Sequence, residues 1–240
     1  MLDLFRFYPE LRERIEALCG RASWSVAAAS ALAHDDEALY FEITRPKHWQ
    51  RRQDGIIVGG IAGVGGGIEP GETVLACLHR EIQEELGVGI EVESASETHL
   101  VYEQSLADRV ALDRRSQTWR SQEYPAPALC TISENRYLQD RHRQYEILVI
   151  VTFWSRLLGT PSPDDLFGLL AIPREALASI LGSPEIALSR LRTIPGVQVV
   201  THEPLPQDML LKLVWTVRSL HLLLQAGWCL VPRAAKGADS

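Results

Sequence analysis

Residues Gly66–Val88 read GGIEPGETVLACLHREIQEELGV, and their spacing decides how the rest of the chain is read. After Thr73 the chain runs without glycine or proline as far as Gly87. A threonine side chain accepts from the free amides of a first helical turn, and glycine readily takes the left-handed conformation that ends a helix. The segment therefore predicts a helix opened at Glu72-Thr73, with Thr73 as N-cap, running to Leu86 and closed by Gly87. Val74, Leu75, Leu78, Ile82 and Leu86 recur at helical spacing and form one apolar stripe that must face a core. Beside it, Glu81, Glu84 and Glu85 project over an arc of roughly 100°, because residues three and four apart are neighbours on a helix. Like charges so placed cost an isolated helix about 0.2–0.5 kcal/mol per pair. A cation that neutralises them gives the arrangement its reason, and hard carboxylate oxygens suit Mg²⁺ or Mn²⁺.

A merely solvated face is the ordinary reading of a Glu-rich helix. The glycines just before the helix argue against it here. Gly59–Gly67, GGIAGVGGG, lets the backbone approach a ligand and turn its amides and carbonyls inward. It is no Walker loop, since Gly-Lys-Ser/Thr is missing, and no dinucleotide fingerprint, since the G-x-G-x-x-G spacing fails.

Read as a pattern, Gly66, Glu72, Arg80-Glu81-Ile82, Glu84-Glu85 and Gly87-Val88 resemble the Nudix box at all nine of its fixed positions. At average residue frequencies a chance match in a chain of this length is below about one in a million. The resemblance implies a Nudix hydrolase that cleaves a diphosphate linked to another group X. It also implies that the residue before the box glycine, Gly65, offers its carbonyl to a metal together with Glu81, Glu84 and Glu85, while Arg80 orients the glutamates. A diphosphate is polyanionic, so the reaction needs cations to offset developing charge and lower the pKa of the attacking water. A carboxylate must also accept that water's proton. Glu81 and Glu85 are candidates within the box; Glu134, Asp164 and Asp165 are candidates beyond it, with Asp164-Asp165 favoured because they precede LFGLLAIPREAL, which looks like the lead into the last helix of such domains.

Composition fits an ordinary enzyme: 240 residues, 46% hydrophobic and 23% charged, can bury one sizeable core plus an appendage. No apolar run has transmembrane length and the amino terminus has no signal-peptide stretch, so a cytoplasmic protein without a membrane partner is expected. Cys19, Cys77, Cys130 and Cys229 are scattered and form no zinc or disulfide pattern. The net charge of −7 speaks against duplex nucleic acid as main partner and leaves room for a small phosphorylated metabolite or nucleotide. Arg45, Lys47, His48, Arg51 and Arg52 surround Trp49, a patch where cations hold phosphate and the ring stacks a base. Arg136, Arg141, His142 and Arg143 around Tyr137 form a second patch.

Along the chain, a helix is expected over Leu2–Leu18. Strands are expected at Ser23–Leu32, Ala38–Thr44, Ile56–Ile61, Ile90–Tyr102, Ala128–Ser133 and Tyr145–Ser155, the last central. Glu103–Pro127 is long enough for a functional insertion, and its Ser121–Pro127 is similar in part to the signature of NADH-type Nudix diphosphatases, departing at Glu123, Tyr124 and Ala126. The coenzyme A pattern of other members is missing. Pro173–Leu181 reads as a short helix, and Leu205–Trp228 as a long one that packs on the domain or on a second subunit of a homodimer. The expected fold is α/β, an αβα sandwich with a mixed sheet: helical extension 1–22, hydrolase domain 23–182, and helical extension 183–240 with a disordered tail from Ala234.

The expected function is metal-dependent hydrolysis of a nucleoside diphosphate linked to X, of the ADP-ribose, nucleotide-sugar or dinucleotide type. Nucleoside triphosphate pyrophosphohydrolysis and a non-catalytic nucleotide-sensing module are the alternatives. Sensors and isopentenyl diphosphate isomerases of Nudix type commonly degrade the box, which is intact here.

Overall fold

Alternation along the strand β1 (Trp24–His34) sets the layers. Ala29, Ala31 and Ala33 lie in one core and Leu32 in the other, on the opposite face of the sheet. A bulge between Val26 and Ala28 shifts the register, so that Val26 shares the alanine face. The alanines are small enough to let a helix lie close, and that helix is the box helix. The computed structural model describes residues 2–111, 124–136 and 144–228. Trp119 and Ser121-Gln122-Glu123, Tyr137 with Arg141, His142 and Arg143, Cys229, and the tail from Ala234 lie outside the described residues.

Before the box helix come β2 (Ala38–Ile43), β3 (Gln50–Arg51), β4 (Ile57–Ala62) and β5 (Val64–Gly67). After it come β6 (Ile90–Glu93), β7 (Glu97–Tyr102), β8 (Ser105–Ala111), β9 (Leu129–Glu134), β10 (Ile147–Leu157) and β11 (Gly168–Pro173). The last strands are β12 (Glu185–Ala187), β13 (Gln198–Thr201) and β14 (Leu210–Leu213). They form one mixed sheet whose main path is β12-β14-β4-β2-β1-β10-β9-β7-β8. The pairs β1/β10, β7/β9 and β14/β4 are parallel, and the others are antiparallel. β10 is central as expected, with β1 on one side and β9 and β6 on the other. Helices α1 (Leu2–Phe7), α2 (Pro9–Cys19) and the box helix α3 (Val74–Leu86) cover one face. The short α4 (Leu177–Ile180), α5 (Leu188–Leu191) and the longer α6 (Trp215–Gln225) cover the other, completing the αβα sandwich.

Four expectations are corrected in detail. The amino-terminal helix is two helices, broken at Tyr8 because Pro9 has no amide to continue the ladder and starts the second one. Tyr8 then donates its hydroxyl to the Tyr124 carbonyl at 2.7 Å, and Phe7 stacks on Tyr124. Ile90–Tyr102 is two strands with different neighbours, β10 for the first and β8 and β9 for the second. The start of the Glu103–Pro127 insertion is a strand, β8, joined to β7 by a two-residue turn in which Glu103 and Gln104 both have positive φ. Finally, the helix expected over Leu205–Trp228 is a strand followed by a helix. Leu211 and Leu213 alternate about Lys212 and extend the β4 edge in parallel, so residues 183–228 add strands to the same sheet as well as the helices α5 and α6 that cover it.

Candidate active site

The box helix begins and ends on its own sequence. Thr73 accepts the Ala76 amide at 3.1 Å, and Gly87 takes the left-handed conformation at φ 67°, ψ 12°. Val74, Cys77, Leu78, Ile82 and Leu86 are buried, and the helix packs against β1 and β5. That burial fixes the rotation of the helix and leaves its glutamate edge beside β5.

Arg80 organises this edge. Its guanidinium binds Glu72 through Nε at 2.9 Å and through Nη2, Glu81 at 2.8 Å, Glu84 at 3.1 Å, and the Gly67 carbonyl at 3.2 Å. Arg80 beside Glu72 holds that carboxyl below its ordinary range. Glu81 moves the other way, raised by burial even though Arg80 opposes the shift. Gly66 lies against Glu81 so closely that a Cβ there would fall 2.4 Å from the carboxylate.

Glu85 points elsewhere. Its Oε2 accepts the Gly65 amide at 2.8 Å, and burial, then the charge of Glu42, pushes its pKa up to about 8. Burial likewise lifts Glu42, on β2, to about 7. The sequence reading missed Glu42. Its signal was the period-two pattern of Ala38–Thr44, in which Leu39, Phe41 and Ile43 face one core and Tyr40 and Glu42 the other side, that of the box helix. Cys77, noted for its place one turn before Glu81, is buried with its thiol pushed up to about 12, which makes it a packing residue.

The loop 162–165 wraps the end of the box helix. Ser162 donates its amide to the Leu86 carbonyl and Asp164 to the Glu85 carbonyl, both at 3.0 Å. Asp165 forms an ion pair with Arg45 at 3.1 Å and adds to the charge that raises Glu85. Asp164, Asp165 and Arg45 are thus brought to the glutamate edge. Glu134 is not: at the end of β9, its amide binds Glu103 and its carboxylate lies by Arg136. The rest of the first basic patch also disperses. Arg52 pairs with Glu185 and Arg51 caps the Gly55 carbonyl. The Trp49 indole, expected to stack a base, instead donates to the Thr44 carbonyl at 2.6 Å and sets its ring edgewise against Phe167 in the core, because the apolar ring gains more from that burial than from solvent.

The oxygen donors of Glu81, Glu84, Glu85 and Glu42 are of the hard type that magnesium-like ions take. Glu85 and Glu42 fit a cation, being two half-buried like charges with none paired to them. With Arg80 holding Glu81 and Glu84, no three His, Cys, Asp or Glu side chains among the described residues converge on one point.

Residues 27–127 match the family model described as NUDIX domain, a span that includes β1, the glycine strap and the whole box. This segment of the chain is thus similar to the NUDIX domains of Nudix hydrolases. Such enzymes hydrolyse diphosphate bonds in nucleoside diphosphates linked to X and generally need a divalent metal. Among solved structures the chain is similar to a NUDIX-family hydrolase from Clostridium perfringens, at 12% identity over 65% of this chain and 84% of that one, TM-score 0.36. It is also similar to the E. coli ORF135 protein, at 17% identity over 66% and 80%, TM-score 0.34. A MutT NUDIX hydrolase from Burkholderia pseudomallei matches at 13% identity over 83% and 95%, TM-score 0.29. No curated protein matches the chain. No helix among the described residues is long and apolar enough to cross a membrane.

Proposed function

We propose that this chain hydrolyses the diphosphate bond of a nucleoside diphosphate linked to a second moiety, of the ADP-ribose, nucleotide-sugar or dinucleotide type, with Mg²⁺ or Mn²⁺ as cofactor. The observation that carries the reading is the double anchoring of the box: Arg80 gathers Glu72, Glu81 and Glu84, while Glu85 takes the amide of the glycine strap at Gly65. Glu81, Glu84, Glu85 and the Gly65 carbonyl would hold the metal. Bound there, a divalent cation offsets the charge of the diphosphate and acidifies the attacking water. Arg80 keeps the glutamates in place, and Glu81 and Glu85 are the box carboxylates able to take the water's proton. Arg45, half-exposed beside Asp165 at the end of the box helix, would meet a phosphate of the substrate. We read 23–182 as the hydrolase unit, with 183–228 broadening its sheet.

Assaying Glu84→Gln and Glu85→Gln on a panel of nucleotide sugars, dinucleotides, nucleoside triphosphates, capped RNA and coenzyme A tests this. Each variant should lose at least on the order of 10²-fold in turnover with its fold intact. Unchanged turnover in both would overturn the mechanism, and kcat/KM highest for a triphosphate, with ADP-ribose uncleaved, would overturn the substrate class.

A further inference from the structure

On the sheet face opposite the box helix, four rings stand in a row. His34 and Trp154 lie 5.7 Å apart, Trp154 and Trp228 5.9 Å, and Trp228 and His99 5.1 Å. Strand alternation puts His99 on this face, since Leu100 beside it belongs to the box-helix core. Trp228 is brought in by the turn that ends α6. Gly227, at φ 82°, reverses the chain, and the Trp228 amide donates to the Leu223 carbonyl at 2.9 Å. The indole packs with Val101, Leu129 and Leu223, stacked on Trp154 and set edgewise with His99.

His99 is 5% exposed, and neither of its ring nitrogens has an aligned hydrogen-bond partner among the described residues. The charged groups that act on it are Glu97, whose Oε1 stands 3.3 Å from Nε2, and Arg109, opposite on β8 and 3.5 Å from Glu97. β9 presents Leu129 and the end of α6 presents Trp228, neither of them charged. His34, at the far end of the row, receives Arg174 on Nδ1 at 2.8 Å and has Glu93 3.3 Å from Nε2, with Trp154 between it and Trp228. An imidazole sealed like His99 is held neutral, because its cation would lose water without gaining an aligned acceptor. Burial lowers its pKa below the ordinary 6.5, against the pull of Glu97. A proton can therefore settle on His99 only by opening the contact that seals it. β7 is paired on both sides, whereas Trp228 is held by a single turn, so the indole is the part that gives way.

We propose that His99 and Trp228 form a proton-operated latch: with His99 neutral, Trp228 is seated on the sheet, and with His99 protonated, Trp228 leaves its seat and uncovers the apolar patch of Val101, Leu129 and Leu223. The sign follows from linkage. With His99 in water the open state takes up its proton near pH 6.5, and the closed state does so only at lower pH. The seat is thus at full strength above 6.5 and weakens as pH falls below it.

The test is fluorine NMR of the full chain labelled with 5-fluorotryptophan, the lines of Trp228 and Trp24 being assigned from Trp228→Phe and Trp24→Phe. From pH 8 to pH 5 the Trp228 line should move to a solvent-exposed position with its midpoint below 6.5. The Trp24 line, whose ring packs on Phe5 in the box-helix core, should stay in place. His99→Phe and His99→Gln, neither of which can take a proton there, should each abolish the shift. A Trp228 line that stays in place down to pH 5 overturns the latch. So does a shift that persists in both His99 variants, which puts the titrating group elsewhere, or a shift shared by Trp24, which makes the event general unfolding.

Discussion

The Gly65 amide donates to Glu85 Oε2 at 2.8 Å, joining the glycine strap to the box helix across 20 residues of sequence. The contact depends on backbone only glycine supplies. Gly65 has φ 139°, and a Cβ there would lie 2.3 Å from the Ala29 carbonyl oxygen of the neighbouring strand. The conformation that turns this amide toward the glutamate is also the one that lets β5 lie against β1.

Alanine at the two adjacent glycines should therefore act differently. Gly65→Ala meets rigid backbone and should cost stability, on the order of 2 kcal/mol or more, the range of strained-backbone and overpacking substitutions. Gly66→Ala meets only the end of the Glu81 side chain at 2.4 Å, which can swing away. It should melt near the parent temperature yet lose most of its turnover, since Glu81 leaves its place beside Arg80. Thermal melts with kcat on both variants check this, and a Gly66→Ala enzyme of full activity would show that the position of Glu81 does not matter.

In chelator, stability should fall as pH rises. Burial raises Glu85 to about 8 and Glu42 to about 7 in the folded protein, whereas both titrate near the ordinary 4.5 when unfolded. Between those values the folded state holds more protons than the unfolded one, so the slope of unfolding free energy with pH is negative. The stabilisation is full below about pH 4.5 and lost by about pH 8. Melting temperature measured from pH 5 to 8.5 should fall more steeply for the parent than for Glu85→Gln, which lacks the titrating group. Equal slopes would mean that Glu85 is not buried as described.

Millimolar Mg²⁺ or Mn²⁺ should raise the melting temperature at pH 8. An ion that binds only the folded chain stabilises by RT ln(1 + [L]/Kd), about 2.7 kcal/mol at a hundredfold excess over Kd. Ca²⁺ should stabilise without supporting turnover, as it tolerates looser geometry than Mg²⁺. A melt indifferent to all three ions, with no binding by calorimetry, would point to a sensing module instead.

The parts of this site legible in the sequence are those fixed by local chemistry. Thr73 and Gly87 bound the box helix because capping needs only the next few residues, and its apolar stripe names the face it buries. Glu42 was not legible as part of the site, since only the pairing of β2 with β4 and β11 brings it near Glu85. The carboxy-terminal strand was hidden for a related reason. Leu210, Leu211, Val214 and Val217 satisfy a helical stripe in part, and what decides for a strand at Leu210–Leu213 is the open edge of β4, which lies some 150 residues earlier (210 − 58 = 152 between paired residues). Pro9 was a local signal, and it divides what the apolar pattern alone joins.

Arg45 and Trp49 belong to one basic, aromatic patch in the sequence and should separate in experiment. Trp49 is anchored by the Thr44 carbonyl and Phe167, and Gly59 lies against its ring. Trp49→Ala empties part of the core and leaves that carbonyl without its donor, at a cost of about 3 kcal/mol, the low end for buried tryptophan because this ring is only partly enclosed. Arg45 is 45% exposed and pairs with Asp165, whose own side chain is 76% exposed, so the ion pair contributes little to the fold. Arg45→Ala should melt within a degree or two of the parent and raise KM several-fold with kcat less affected, the signature of lost binding to a phosphate held equally in ground and transition states. The measurement is steady-state kinetics on the best substrate of the panel beside thermal melts of both variants. A Trp49→Ala enzyme of normal stability with a large rise in KM would restore the indole as a base-stacking surface, and an Arg45→Ala enzyme with unchanged KM would remove this arginine from the substrate site.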